Sequence, residues 1–214
     1  MQVCTNVRLS PVKAASPGLR EKHRQQVLVD LHEAAVALAD RVGLADATID
    51  LIASRAGVSR RTFFNYYASK EDAILGATPP RVPEHELSVF VNDVDAEPFT
   101  RTVRLIVAIV RSTFVAGTLI EERRGLIARY PQLRERMAQH VVAAESLTEI
   151  ALSERLVRAD AQPASTESTR ALLMIAGAVL RYAYISDPGA FESADSVAIE
   201  TAISVFGKAL KEIF

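Results

Sequence analysis

The chain has 214 residues, 49% of them hydrophobic, and a formal net charge of −1 at pH 7. This length can bury a core in one large domain or two small ones. The balanced charge excludes a bulk polycation, so nucleic acid could bind only through a local surface. The single cysteine, Cys4, excludes an internal disulfide and a cysteine-based metal site.

Neither a signal peptide nor an uncharged apolar span of about 20 residues occurs, so we expect a cytoplasmic protein that does not enter a membrane. Alanine, leucine, valine, arginine and glutamate are abundant and glycine is sparse, a composition that favours helices. We therefore predict an all-α fold.

The start of the chain has no hydrophobic periodicity, which predicts a flexible N-terminal arm over residues 1–18. From Arg20 to Val42, apolar residues recur at helical spacing and predict the first long helix. Gly43 is predicted to end that helix.

The stretch from Thr48 to Lys70 predicts two short helices joined by a tight turn. Thr48 is suited to cap the first helix, and Ser59 is suited to cap the second. Between them, Gly57 can adopt the left-handed backbone of a helix end without a Cβ clash. This is the helix-turn-helix arrangement, whose second helix enters the major groove of DNA.

The second of these helices carries the predicted DNA contacts. Arg60 and Arg61 lie in its first turn, and a guanidinium paired with guanine contributes about 1–3 kcal/mol of discrimination. Phe63 and Tyr67 are expected to pack inward. The alternative is a solvated helix with two arginines in any small bundle. The predicted DNA-binding residues are Thr48, Ser59, Arg60, Arg61, Thr62, Phe64, Asn65, Tyr66 and Lys70.

The run IASRAGVSRRTFFNYYASKEDAIL resembles the DNA-binding signature of the TetR family of bacterial one-component transcriptional regulators, and the resemblance covers about residues 20–75. It implies a three-helix helix-turn-helix domain followed by a larger helical domain that binds a ligand and forms a homodimer. One departure is Phe64, which stands where the family usually has a tyrosine and so removes a phosphate-contacting hydroxyl. A second is the group of prolines after the fourth helix.

By this resemblance, the function expected is that of a ligand-responsive repressor. It would bind a palindromic operator in double-stranded DNA as a dimer and be released by a small hydrophobic effector. A constitutive architectural DNA-binding protein without an effector, or an activator, are the alternatives.

A proline-rich segment marks the predicted domain boundary. The fourth helix is predicted from Ser69 to about Ala77, and the prolines at positions 79, 80 and 83 prevent it from continuing. A further helical segment should run from Glu84 to about Asn92. We expect a DNA-binding domain over residues 19–78 and a ligand-binding and dimerisation domain over residues 84–214.

The most apolar helix is predicted from Pro98 to about Leu119, and its composition suggests burial on all sides. Arg104 and Arg111 lie two turns apart on it, and a buried arginine needs a partner. Internal glutamates such as Glu145 or Glu149 could supply one, and so could an anionic group of the effector. The predicted ligand-binding residues are Phe90, Arg104, Val107, Val110, Arg111, Phe114, His140 and Tyr182.

The remaining chain predicts a short helix over residues 121–130, a long helix from Pro131, a polar loop over residues 159–166 and two terminal helices. Those two helices, about Thr166–Ile185 and Ser193–Phe214, are apolar on more than one face. The resemblance implies a homodimer through residues 169–185 and 193–214, and a wide internal core face is the alternative.

Enzymatic function is not expected, because the sequence has no glycine-rich phosphate loop, no nucleophile elbow and no paired carboxylates in a catalytic motif. Cysteine, histidine and acidic residues never occur at zinc-ligand spacing, so no metal and no cofactor are predicted.

Overall fold

The computed structural model describes residues 18–93, 97–115, 120–158, 166–187, 190–191 and 196–213. These residues form an all-α fold, as predicted, and contain no β-strand. The predicted N-terminal arm and Cys4 lie outside the described residues, apart from Gly18. The helices are α1 (Leu19–Asp46), α2 (Ile49–Arg55), α3 (Arg60–Tyr66), α4 (Lys70–Leu75), α5 (Glu84–Asn92), α6 (Pro98–Arg111), α7 (Ile120–Arg129), α8 (Pro131–Arg158), α9 (Thr166–Ser186) and α10 (Val197–Ile213).

Gly43 interrupts α1 near its end, where the sequence predicted that the first helix would stop. Its backbone lies at φ 87° and ψ 160°, outside the helical region. A residue with a Cβ atom would be strained at this positive φ. The turn after Gly43 brings Leu44 and Ala47 into the core, where both are buried.

The end of α6 differs from the prediction. The helix stops at Arg111 rather than near Leu119, because the following backbone pairs with the segment after α4. Phe114 and Ala77 form an isolated antiparallel bridge. The Thr78 N–H donates to the Thr113 carbonyl at 2.7 Å, and the Val115 N–H donates to the Gly76 carbonyl at 2.9 Å. Residues beyond Val115, up to residue 119, lie outside the described part of the chain.

The prediction that α6 is buried on all sides is also wrong. Arg104 lies at the surface with 53% of its side chain exposed, and it pairs with Glu200 of α10 at 3.2 Å. The opposite side of the helix is apolar and buried. Helix α6 is therefore amphipathic, and Arg104 needs neither an internal glutamate nor a ligand.

Two hydrophobic cores organise the described residues. The first joins α1 to α4 and also takes in Val115, Leu126 of α7 and Leu133 of α8. The second is formed by α5, α6, α8, α9 and α10. The first core thus extends beyond the proline segment, and α7 and α8 pack directly on the helices that precede it. None of the described helices has both the length and the apolar character needed to cross a membrane.

Candidate nucleic-acid interface and cavity

Three helix caps fix the helix-turn-helix unit. The hydroxyl of Thr48 accepts the Leu51 N–H at 3.4 Å, and the hydroxyl of Ser59 accepts the Thr62 N–H at 3.0 Å. Ser69 caps α4 in the same way. The predicted caps are therefore present, and each occupies a donor that would otherwise lack a helical partner. Between α2 and α3, Gly57 has a φ of 69°.

Two aromatic side chains pack inward, as predicted, and hold α3 against α1. Phe63 and Tyr67 are almost completely buried. The Tyr67 hydroxyl donates to the Leu28 carbonyl at 3.0 Å, and burial raises the pKa of this phenol. With these side chains inside, the opposite side of α3 faces outward.

The outward side of α3 presents Arg60, Arg61, Phe64 and Asn65, all of them exposed. The Arg60 guanidinium donates to the Asp50 carboxylate at 2.8 Å and lies 5.6 Å from the centre of the Phe64 ring. Among the described residues, Arg61 has no ion-pair partner. An exposed ion pair contributes little stability, so both guanidinium groups can be offered to a base or a phosphate.

Lys70, a predicted DNA-binding residue, is bonded to main-chain carbonyls. Its ammonium group donates to the carbonyls of Leu44 and Ala45 at 2.6 and 3.1 Å, just after the break in α1. One of the three ammonium N–H groups is left for a phosphate. Tyr66 is half-buried against the first core, and the Thr62 hydroxyl lies 2.8 Å from that of Ser59.

A buried ion cluster that sequence reasoning missed joins α4 to α8. Arg136 donates from Nε to Oδ1 of Asp72 at 2.7 Å and from Nη2 to Oδ2 at 2.6 Å. Nε2 of His140 lies 2.7 Å from the same Oδ1. Burial alone would raise the pKa of Asp72, but the bonds from His140 and Arg136 lower it to about 2.

His140, a predicted ligand-binding residue, lies away from the cavity. It is buried against Asp72 and does not line the cavity described below. The sequence contained one signal for this cluster, because Arg136 and His140 lie four residues apart and so share a face of α8. Their acidic partner lies 64 residues before Arg136, too far away to be identified by spacing.

A cavity of about 1230 Å³ opens among α6, α7, α8, α9 and α10. Four of the predicted ligand-binding residues line it: Val110, Arg111, Phe114 and Tyr182. The other lining residues include Val115, Arg123, Arg124, Ile127, Met137, Val141, Glu145, Met174, Leu180, Arg181, Tyr184, Ile185, Phe191 and Phe206.

Besides His140, three further predicted ligand-binding residues do not line this cavity. Phe90 and Val107 are buried in the second core and do not reach the cavity. Arg104 points away and pairs with Glu200. Arg104 and Val107 lie on α6 with the lining residues Val110 and Arg111, but only the end of α6 beside its break meets the cavity.

Positive charges outnumber negative charges in the cavity lining. Among its described residues are four arginines, at positions 111, 123, 124 and 181, and one acidic residue, Glu145. The rest are mainly apolar or aromatic. A hydrophobic pocket with a few convergent cations is suited to a molecule that has an apolar body and an anionic group.

Arg123 connects this cavity with α4. Its side chain is buried, and Nε donates to the Leu75 carbonyl, the last of α4, at 3.0 Å. The guanidinium lies 3.9 Å from the centre of the Phe114 ring. No motif marks this arginine, and only the fold brings it to α4. Within the described residues, no group of His, Cys, Asp and Glu side chains could hold a metal ion.

Comparison with known proteins agrees with the geometry of α1 to α4. The family model described as "Bacterial regulatory proteins, tetR family" matches residues 31–75. This range begins within α1 and ends at the last residue of α4, so it contains the whole helix-turn-helix unit. No curated protein matches the chain.

Proposed function

We propose that this chain, a DNA-binding transcriptional regulator of the TetR family, is a dimeric repressor that a small amphipathic anion releases from its operator. The observation that carries the proposal is the cavity, which is lined by arginines and lies against the residues that hold α4. An effector bound there would be in direct contact with the anchor of the DNA-binding unit.

Recognition of DNA is assigned to the exposed side of α3. Arg60, Arg61 and Asn65 would approach base edges, while Ser59 and Thr62 would contact phosphates near the start of the helix and Tyr66 near its end. Thr48 and Lys70 flank this surface and would also meet the backbone. Phe64 is exposed without a hydroxyl, so its contact would be apolar, as with a thymine methyl group.

The effector is assigned to the cavity by charge and shape. Arg111 and Arg124 lie on its wall with the buried Arg123, and the apolar lining comes from α6, α8, α9 and α10. A carboxylate or sulfonate beside a hydrophobic body fits these groups better than a cation does. A 100-fold preference of such a molecule for the DNA-free conformation corresponds to about 2.7 kcal/mol of coupling.

The proposed dimer uses α9 and α10. Met174 and Ile185 on α9 are 72% and 74% exposed, and Val205 on α10 is 42% exposed. Exposed apolar groups on adjacent helices are typical of a protein interface, and a two-fold axis would place two α3 helices on one side of the duplex. This supports residues 84–214 as the ligand-binding and dimerisation part of the chain.

An architectural DNA-binding protein is the competing function, but it would have no use for a large cavity beside the DNA-binding unit. An activator would share the same structure. Experiment can distinguish these alternatives. Only a repressor blocks transcription from an operator-bearing promoter and allows it again when the effector is added.

The test begins with selection of bound sites from random DNA by the full-length protein. A palindromic site should emerge, bound by two chains, and in vitro transcription from a promoter carrying it should fall. A panel of fatty acids, acyl conjugates, aromatic acids and cationic drugs should contain an anion that restores transcription. Binding without sequence preference, unaffected by the whole panel, would overturn the repressor function in favour of the architectural one.

A further inference from the structure

We propose that Arg60 and Phe64 together read one dinucleotide step, made of a guanine and a neighbouring pyrimidine that carries a methyl group at C5. This rests on the proposed function, in which α3 contacts the base edges of an operator. It specifies the bases at two adjacent positions of each half-site. It also predicts that 5-methylcytosine can replace thymine at one of them.

The Phe64 ring lies on the outward side of α3, and the residue is 48% exposed although its side chain is a hydrocarbon. The ring meets the buried ring of Phe63 at a centre-to-centre distance of 5.5 Å and an interplanar angle of 88°. This edge-to-face contact is a favourable arrangement of two aromatic rings. The buried ring thus supports the exposed one, which presents an apolar surface outward from the helix.

Arg60 lies four residues before Phe64, so the two side chains share a face of α3. The guanidinium carbon is 5.6 Å from the centre of the Phe64 ring, within the range of a cation–π contact. Its Nη1 donates to the Asp50 carboxylate at 2.8 Å. A guanidinium has five N–H groups, so within the described part of the chain the edge formed by Nε and Nη2 stays available for O6 and N7 of guanine.

The base edge that suits the Phe64 ring follows from the groups that base pairs present in the major groove. Adenine, guanine and cytosine present hydrogen-bond donors and acceptors there, whereas thymine adds a methyl group at C5. A ring without a hydroxyl cannot bond to the polar groups, and covering them without a bond costs free energy. It can, however, bury the methyl group. Because 5-methylcytosine carries the same methyl group on the same atom, the ring should accept it as it accepts thymine.

The distance between the two side chains relates to the spacing of base pairs. Successive base pairs are about 3.4 Å apart along the duplex, so side-chain groups 5.6 Å apart fit neighbouring pairs. A thymine cannot pair with the guanine that Arg60 contacts, so its methyl group must belong to another pair. We therefore expect the guanine position and the methyl position to be adjacent in the operator.

Leu51 provides a matched control for Phe64. It is 47% exposed and lies on α2 of the same helix-turn-helix unit. Substituting either residue with alanine removes an exposed apolar side chain. Only Phe64→Ala removes the ring beside Arg60.

The experiment uses the full-length protein and the operator selected from random DNA. At each thymine of one half-site, four duplexes are prepared with thymine, uracil, 5-methylcytosine or cytosine, each opposite its complementary base. Thymine and 5-methylcytosine carry the methyl group, and uracil and cytosine are the same bases without it. Dissociation constants are measured by band-shift titration for the wild type, Phe64→Ala, Leu51→Ala and Arg60→Ala.

For the wild type, we expect one position at which thymine and 5-methylcytosine give about fourfold tighter binding than uracil and cytosine, the factor expected for burying one methyl group. Phe64→Ala should abolish this preference, and Leu51→Ala should retain it. Arg60→Ala should relax the preference for guanine at the adjacent base pair. An effect of the methyl group on DNA shape alone would persist in Phe64→Ala, because the same duplexes are used throughout.

Equal affinity of the wild type for the thymine and uracil duplexes at every position would overturn the inference. A methyl preference that survives Phe64→Ala, is lost in Leu51→Ala, or is not adjacent to the guanine contacted by Arg60 would also overturn it. If Phe64→Ala does not fold, the wild-type duplexes and Arg60→Ala still decide.

These failures differ from a failure of the proposed function. A palindromic site that controls transcription but is insensitive to the methyl group would contradict only the joint reading by Arg60 and Phe64. Selection that recovers no preferred site would overturn both.

Discussion

The carboxylate of Asp72 on α4 accepts hydrogen bonds from Arg136 on α8 through both of its oxygens, at 2.7 and 2.6 Å. The carboxylate is fully buried, whereas 29% of the Arg136 side chain is exposed. The contact joins α4, the last helix of the DNA-binding unit, to α8, which contributes part of the cavity lining. It therefore sets the position of α4 relative to α8.

Replacing Asp72 with asparagine should destabilise the protein. The substitution leaves Arg136 and His140 without their anion, and loss of one partner from a buried pair costs about 3–5 kcal/mol. Because Arg136 is partly exposed, we expect about 3 kcal/mol, measured by urea denaturation. Lys211→Gln is the control, since it breaks an exposed pair with Glu97 and should change stability by at most about 1 kcal/mol. Equal stability of Asp72→Asn and wild type would show that the cluster does not stabilise the fold.

Lowering the pH should remove the stabilisation that the Asp72 carboxylate contributes. The pKa of Asp72 is about 2 in the folded protein, below the ordinary value of 3.8 that applies to the unfolded chain. The unfolded state therefore binds a proton first, so the stabilisation is present above about pH 4 and is lost between about pH 4 and 2. The shift corresponds to roughly 2 kcal/mol.

This pH dependence is measured by urea denaturation between pH 2 and 7. The stability difference between wild type and Asp72→Asn should be constant above pH 5 and shrink below pH 4. A difference that stays constant down to pH 2 would contradict the lowered pKa of this carboxyl.

Replacing Arg61 with alanine should weaken operator binding by about 1–3 kcal/mol and relax the preference at one base pair, because its guanidinium is available for guanine. Arg60→Ala should act similarly, and Asp50→Asn should leave binding intact because it frees Arg60. Tyr66→Phe should weaken all sequences about equally. Band-shift titrations on the selected operator and its single-base variants measure these effects. The α3 assignment is wrong if neither arginine substitution alters affinity or base preference.

Replacing Val205 with glutamate should split the proposed dimer, since it places a charge in an apolar interface. Sedimentation should give the mass of one chain. Val89→Glu on α5 is a matched control, as Val89 is 45% exposed and lies outside α9 and α10. Phe206 is less suited to this test because it is half-buried against Tyr182. An unchanged mass for Val205→Glu would exclude this interface.

Arg104 and Arg111, both on α6, should behave differently toward an anionic probe. Arg111 lines the cavity, so Arg111→Gln should weaken binding of anilinonaphthalene sulfonate about fivefold, or roughly 1 kcal/mol. Arg104→Gln should have no effect, because Arg104 lies at the surface with Glu200. Fluorescence titration compares the two. Equal weakening by both would mean that the probe binds along α6 rather than in the cavity.

Local features of the chain were predictable and distant pairings were not. The caps at Thr48 and Ser59 and the glycine turn act over three or four residues, so sequence spacing reveals them. The end of α6 depends on backbone bonds to residues 76–78, and the Leu75 carbonyl meets an arginine 48 residues away. No periodicity encodes such contacts.

Of the eight predicted ligand-binding residues, four line the cavity and four do not. Val110, Arg111 and Phe114 surround the break in α6 and line the space, whereas Arg104 lies on its exposed face. The spacing of three residues between Arg101 and Arg104 is a signal that could have indicated a polar side on this helix. The missing information was the exposure of that side, which depends on the packing of α9 and α10.

Two main-chain N–H groups, those of Thr78 and Val115, join the chain after α4 to the chain around the end of α6. Side-chain replacement cannot remove these donors, and only proline lacks them. In a library of random variants selected for failure to respond to an effector, loss of either main-chain donor should be found only with proline. At Arg123 many different residues should be recovered. The set of substitutions recovered at each position would thus distinguish a contact made by the backbone from one made by a side chain.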